Sequence, residues 1–384
     1  MTIKTDEFVD SCIRNNFDAT EIGKDLRQSN PGYTMRKSQI ENRIANLRRK
    51  GDLPLDSGNA VSAGELLKGT STLYDAAGNV KQQWVKSDVA ATNTVEAVQK
   101  AIDDIIDNAN FAKTTIKPPK KVNSDLMTIY PIGDAHVGML AHAAEVGQDH
   151  DLAISRERHL AAIKMAVENS PDSEEAFIID TGDWFHADDS NNRTPRGNNP
   201  LDVDGRFHKV IDVGFEIAVG MIETALAKHK IVHWHSAEGN HNQHLAYVMS
   251  KFLKGYFRDL EAKGRVVIHC SPKPFYYYKF GKNLIGITHG HTTKVTNLPG
   301  IMATDEPKQW GDTVNRYWYC GHIHHDVIKE LPGCKVESFR TLAGKDAWHN
   351  ASGYRSGQDL KAITLHKKHG EISRNTFNLS LIEQ

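Results

Sequence analysis

The spacing of apolar and polar positions changes twice along the chain. Residues 5–14 place Phe8, Val9, Cys12 and Ile13 on one helical face. Asp18 is an N-cap candidate for a second helix through Leu26, with Ile22 and Leu26 one turn apart, and Asn30-Pro31-Gly32 then breaks the chain. A third helix is predicted over 34–50, with Ile40, Ile44 and Leu47 at helical spacing and Gly51 as its C-terminal stop. Residues 70–74 and 80–85 read as strands around a turn at 75–79, which predicts a hairpin, and 95–106 predicts a helix. Residues 113–121, with Pro118-Pro119 and four lysines, read as a linker.

Beyond residue 124 the period becomes that of a layered α/β protein, with short apolar runs alternating with helical stretches. Five runs, at 126–132, 176–181, 231–237, 284–288 and 317–320, end in polar residues of one chemical kind. The endings are Gly133-Asp134-Ala135-His136, Gly182-Asp183-Trp184-Phe185-His186, Gly239-Asn240-His241-Asn242, His289-Gly290-His291 and Gly321-His322-Ile323-His324. In such folds ligands gather beyond the carboxyl ends of strands, so the five endings are expected to share one site. A further strand is expected at 339–342.

Composition sharpens this division. At 384 residues the chain exceeds the roughly 250–300 at which one core stops growing, so more than one domain is expected. With 39% hydrophobic and 25% charged residues it reads as globular, and a formal charge of -1 leaves any nucleic-acid surface to a local patch. No run approaches the ~18 apolar residues of a membrane span, and no basic-then-apolar leader opens the chain, so a cytoplasmic protein without a membrane partner is expected, in a host cytoplasm if phage-encoded. Cys12, Cys270, Cys320 and Cys334 lack paired short spacing and fit reduced thiols. All 20 histidines lie at or after His136, an asymmetry with a chance probability on the order of 10⁻⁴. Histidine is the commonest metal ligand and general acid or base, which places the chemistry in the second half.

The donor types define that chemistry further. Aspartate, asparagine and histidine without thiolates suit borderline-hard divalent metals such as manganese, iron or zinc. Asp134 with His136, and His322 with His324, are spaced to reach one ion if the turn breaks strand alternation, and one carboxylate such as Asp183 can bridge two ions.

The ordered series Asp134/His136, Gly182-Asp183, Gly239-Asn240-His241, His289, Gly321-His322/His324 resembles the calcineurin-like metallophosphoesterase superfamily over roughly residues 125–345. The resemblance implies a four-layer α/β/β/α sandwich holding two divalent ions, manganese favoured, with iron, zinc or magnesium as alternatives. It implies one ion on Asp134, His136, Asp183 and His324, and a second on Asp183, Asn240, His289 and His322, activating a water for attack on a phosphoester. It also implies that His241 contacts the substrate phosphate and assists the leaving oxygen. His291 is the alternative to His289. The run from Gly182 to His186 is similar to that of SbcD-type DNA repair exonucleases, which implies that His186 positions the phosphate. Asn242 departs from the acid usual after Gly-Asn-His. The capping domain and partner-binding tail of SbcD-type enzymes are not recognisable, so the chain looks more like a phage-type member.

The third predicted helix carries Arg36, Lys37, Gln39, Asn42, Arg43, Asn46, Arg48, Arg49 and Lys50, six basic side chains against the single acid Glu41 over 36–50. This resembles winged-helix and helix-turn-helix domains and implies phosphate contacts from the basic residues and base-edge contacts from Gln39, Asn42 and Asn46. The expected organisation is a helix-turn-helix-like domain at 1–55, a hairpin, helix and linker at 56–122, and the phosphoesterase at 123–384. The expected activity is a DNA nuclease, compatible with a homodimer. The rivals are a nucleotide phosphodiesterase or phosphatase with a protein-docking N-terminal module, and a catalytically silent DNA-binding adaptor. Two further stretches, 191–199 with Arg193 and Arg196, and 345–355 with Lys345, Asp346, Trp348, His349, Tyr354 and Arg355, are candidates for a substrate groove.

Overall fold

The computed structural model describes residues 40–42, 44, 65–74, 80–89 and 116–383. The chain forms two compact units, Met1–Lys100 and Ala101–Gln384. In the first, residues 40–42 and 44 are helical, with Ile40 buried and Asn42 exposed, as an amphipathic helix requires. Strands β1 (Glu65–Tyr74) and β2 (Val80–Val89) pair antiparallel as the expected hairpin, each longer than the sequence suggests. Arg36, Lys37, Gln39, Arg43, Asn46, Arg48, Arg49 and Lys50, the helices expected at 5–14, 18–26 and 95–106, and the turn at 75–79 lie outside the described residues.

The second unit contains two sheets. One runs in the order β13-β12-β3-β4-β5-β6, comprising β3 (Asn123–Ile132), β4 (Ser173–Asp180), β5 (Ile231–Ser236), β6 (Val266–Ile268), β12 (Asp359–His366) and β13 (Gly370–Asn378). Strands β3 to β6 are mutually parallel, whereas β12 and β13 run antiparallel at one edge. The other runs β10-β11-β9-β8-β7, comprising β7 (Tyr276–Phe280), β8 (Asn283–Ile287), β9 (Asn315–Cys320), β10 (Val327–Leu331) and β11 (Cys334–Ser338), with β8, β9 and β11 parallel. The sheets pack face to face through Met127, Ile129, Phe177 and Ile179 on one side and Phe280, Ile285, Ile287, Tyr317 and Tyr319 on the other. Truncating one of these aliphatic side chains to alanine would cost about 2–5 kcal/mol.

Helices cover both outer faces. Helices α1 (Leu152–Glu168), α2 (Phe207–Leu226) and α3 (Leu245–Tyr256) lie on the six-stranded sheet, and their buried residues recur three or four apart, as Ala162, Ile163, Ala166 and Val167 do in α1. Asp151 caps α1 by accepting from the Ile154 amide at 2.8 Å. On the other sheet α4 (Leu298–Asp305) buries Leu298 and Met302 against Trp318. The result is helix, sheet, sheet, helix, with the central strands of both sheets buried on two faces. Parallel strands buried in this way read as continuous apolar runs, and the five runs found in the sequence correspond to β3, β4, β5, β8 and β9. The strand expected at 339–342 is a correction. That segment is irregular except for one bridge from Thr341 to Gly133, and the strand, β11, lies just before it. Among the described residues no helix is long and apolar enough to cross a membrane.

Candidate metal centre

The segments after β3, β4, β5, β8 and β9 meet at one end of the sandwich. Chain continuity across that end is set by backbone bonds, with the His136 amide donating to the Asp183 carbonyl at 2.9 Å and the Val137 amide to the Trp184 carbonyl at 2.8 Å. Among the described residues seven non-glycines have left-handed backbone, and five of them are Asp134, His136, Asp183, His322 and His324, with φ of 41°, 43°, 56°, 71° and 53°. Each such residue costs about 1–3 kcal/mol, so the surrounding fold holds these five positions against their local preference. The strain turns alternate side chains toward the same point.

Two donor groups result. Asp134, His136 and His324 form the first, with His136 Nε2 3.2 Å from His324 Nε2, and Asp134 Oδ1 3.4 Å from the latter. Asp183, His289 and His322 form the second, with His289 Nε2 3.0 Å from both Asp183 Oδ2 and Asn240 Oδ1. Asp134 ties the groups together, its carboxylate accepting the His322 amide at 2.9 Å. Asp183 sits with His289 and His322, and Asp134 Oδ1 reaches to 3.9 Å from His289 Nδ1. His291 stays outside both groups, its ring 5.2 Å from that of His289. The glycines make room: a Cβ on Gly182, whose φ is +102°, would lie 2.6 Å from His289 Nδ1.

Electrostatics suit cation binding. His136 faces other imidazoles from both ring nitrogens, and burial plus the nearby His241, His324 and His186 hold its pKa well below the ordinary value. Burial alone would lower His289, but the Asp183 charge and hydrogen bond, with Asp134 behind, raise it to about 9. Burial likewise opposes ionisation of Asp183, yet His289 holds it below the usual carboxylate range. His289 Nδ1 donates to the Thr181 carbonyl at 3.0 Å, which leaves Nε2 facing Asp183 and Asn240. A proton on that nitrogen stands where a divalent ion would sit. Paired imidazole lone pairs, carboxylates, a carboxamide and no thiolate fit manganese, iron or zinc.

His241 takes part differently. Its amide donates to Asp183 Oδ1 at 2.8 Å and its Nδ1 to the His186 carbonyl at 2.8 Å, leaving Nε2 toward the cleft. His186 is buried, with Nδ1 3.2 Å from His136 Nδ1, and it forms a third cluster with His136 and His241. Asn242 accepts from the Asp183 amide at 3.1 Å, so it braces the Asp183 turn instead of acting on His241. The cleft above these groups has a volume of about 640 Å³, and Arg196, Trp348, His349 and Tyr354 line it. Arg193 does not reach it and donates to the Asn198 carbonyl of its own loop at 2.7 Å. Sequence reading gave no sign that His349 stacks on His324, with centroids 4.7 Å apart and planes at 17°, because the two lie 25 residues apart, one after β9 and the other on a short helix.

No known family model and no curated protein matches the chain. Among solved structures it is similar to a predicted phosphoesterase from Streptococcus pneumoniae TIGR4, at 10% identity and a TM-score of 0.28, covering 67% of this chain and 99% of that one. Vps29 of Entamoeba histolytica complexed with zinc is similar at 11% identity and a TM-score of 0.27, covering 66% and 99%. The phosphopantetheinyl hydrolase of Mycobacterium tuberculosis is similar at 11% identity and a TM-score of 0.24, covering 61% and 94%. Likeness at that level says nothing about chemistry, which is read from the residues of the cleft.

Proposed function

We propose that this chain is a two-metal phosphodiesterase acting on DNA. The observation that carries the reading is the pair of donor groups, Asp134/His136/His324 and Asp183/His289/His322, held by strained backbone beneath one open cleft. These residues, with Asn240 beside the second group, would hold two divalent ions, manganese favoured. Such ions supply Lewis-acid polarisation of a phosphoryl oxygen and an acidified water.

The chain's own residues do the rest. His241, fixed by its two hydrogen bonds, presents Nε2 to the leaving oxygen and can hand it a proton. Buried His186 packs against His136 and His241 and keeps both rings in place, and Arg196 brings a guanidinium to the cleft for a phosphate oxygen. DNA is favoured as substrate by the six basic residues against one acid over 36–50, which fit a helix meeting phosphates. The test is manganese-dependent hydrolysis of labelled single- and double-stranded DNA beside a chromogenic phosphodiester and phosphomonoester. Diester hydrolysis is the expected result, and monoester preference or no turnover would overturn the proposal.

A further inference from the structure

Trp348 is 62% exposed and lines the cleft over the donor groups. A single exposed apolar side chain is ordinary, and Trp348 differs from Val314 or Ile372 in standing at the cleft. Its setting is rigid. Asp346 Oδ1 accepts both the backbone amide and Nδ1 of His349 at 2.7 Å, and His349 stacks on His324. Trp348 stands edge-on to His349, with centroids 5.1 Å apart and planes at 88°, and lies 5.7 Å from Tyr354. Tyr354 is in turn edge-on to His349 at 5.0 Å. Asn350 Nδ2 fastens the same short helix, Ala347–Ala351, to the Glu145 carbonyl at 3.0 Å. The indole is therefore two ring-to-ring steps, 4.7 and 5.1 Å, from a donor of the first group. That is about the reach of one nucleotide. Ile323, also exposed, lines the same cleft between His322 and His324.

We infer that Trp348 is a stacking platform for an unpaired nucleobase next to the scissile phosphate, so that the enzyme acts on single-stranded DNA or on frayed ends. The inference rests on the phosphodiesterase reading and adds to it the strandedness of the substrate. A base inside a duplex has both faces covered by its neighbours, whereas an unpaired base offers a face to an aromatic ring. The cleft of about 640 Å³ is the size of a small-ligand pocket, which suits one base beside its phosphate.

The test compares wild type, Trp348→Ala and Trp348→Phe in the full chain. Hydrolysis with manganese is measured on a single-stranded oligonucleotide, its duplex and a chromogenic diester. Binding of a fluorescent oligothymidine is measured by anisotropy on the metal-free protein with Arg43, Arg48 and Arg49 neutralised, so that the basic segment does not mask the cleft. Wild type is expected to prefer the single strand. Trp348→Ala is expected to raise KM for it roughly five- to hundredfold, the span of base–aromatic stacking, with a smaller change in kcat and a matching loss of binding, and Trp348→Phe to recover most of both. Equal rates on duplex and single strand, or metal-free binding that survives Trp348→Ala, would overturn the platform. Absence of diester hydrolysis by wild type would instead overturn the phosphodiesterase reading, and the binding arm would still decide on Trp348.

Discussion

Replacing Gly239 with alanine tests the centre at a position that donates no ligand. A Cβ there would fall 1.9 Å from Asp183 Oδ1, 2.7 Å from its Cγ and 2.5 Å from its backbone nitrogen. Ordinary carbon contact begins near 3.4 Å, so the carboxylate must retreat by about 1.5 Å, and the backbone nitrogen cannot swing aside. Metal–ligand bonds tolerate only about 0.2 Å, and a reacting geometry displaced by ~1 Å loses roughly 10²-fold in rate. The same displacement breaks the His241 amide bond to Asp183 Oδ1. Overpacking of this kind costs about 1–3 kcal/mol, which leaves a folded protein. Gly239→Ala should therefore remain folded by urea titration, bind one manganese where wild type binds two by elemental analysis, and turn over a chromogenic diester at least ~100-fold more slowly. Two ions per chain with wild-type turnover would refute the assignment of Asp183 to the centre.

Asp183→Asn should abolish turnover and weaken metal retention, whereas His324→Ala should empty mainly the group it shares with Asp134 and His136; elemental analysis separates the two. His241→Ala should keep both ions and lose roughly 10²–10⁴ in kcat, and a collapse of metal content would make His241 a ligand instead. Burial holds His159, His229 and His235 at pKa values of about 4, against about 6.5 in the unfolded chain. As pH falls from 6.5 to 4 the unfolded state takes up protons that the native state refuses, so stability is full above that window and declines within it, by about 1.4 kcal/mol per pH unit for each histidine. His229→Gln should flatten the decline of the urea-derived stability between pH 6.5 and 5 by one histidine's share, and an unaltered slope would count against it. Neutralising Arg43, Arg48 and Arg49 together in the full chain should reduce the salt dependence of duplex binding by ~0.9 counterions per lost phosphate contact, and an unchanged slope would point to a protein-docking role for that basic segment.

The strands that deliver the donors were legible because each is buried on both faces, so its run is mainly apolar until the polar ending begins, with His233 and His235 the buried exceptions in β5. Strand β12 was not, because its sequence DLKAITLH puts Asp359 and Lys361 inside the protein, where Lys361 reaches Asp359 at 2.8 Å and Asp326 at 2.9 Å. A buried ion pair reads in sequence as a surface stretch. Strand β13 has no alternation to find, since only Phe377 and Gly370 at its ends are buried. The cleft walls were legible only as composition. Arg193 and Arg196 look equivalent in sequence, and the loop's own carbonyl at Asn198 takes one of them. Asn242 shows in sequence only as a departure from the acid usual after Gly-Asn-His, and its hydrogen bond from the Asp183 amide shows what it braces.

Each donor group draws on both sheets: Asp134 and His136 follow β3 while His324 follows β9, and Asp183 follows β4 while His289 and His322 follow β8 and β9. An ion in either group would thus be a rivet between layers joined elsewhere by an apolar seam and a few polar links, such as Tyr278 to Glu175 and Arg374 to Glu337. Its occupancy becomes a term in the stability of the whole sandwich, about 2.7 kcal/mol at free metal one hundred times Kd. Chelation would then be felt along the seam between Phe177 and Tyr319 as well as in the cleft, as faster amide exchange in strands that never touch the metal.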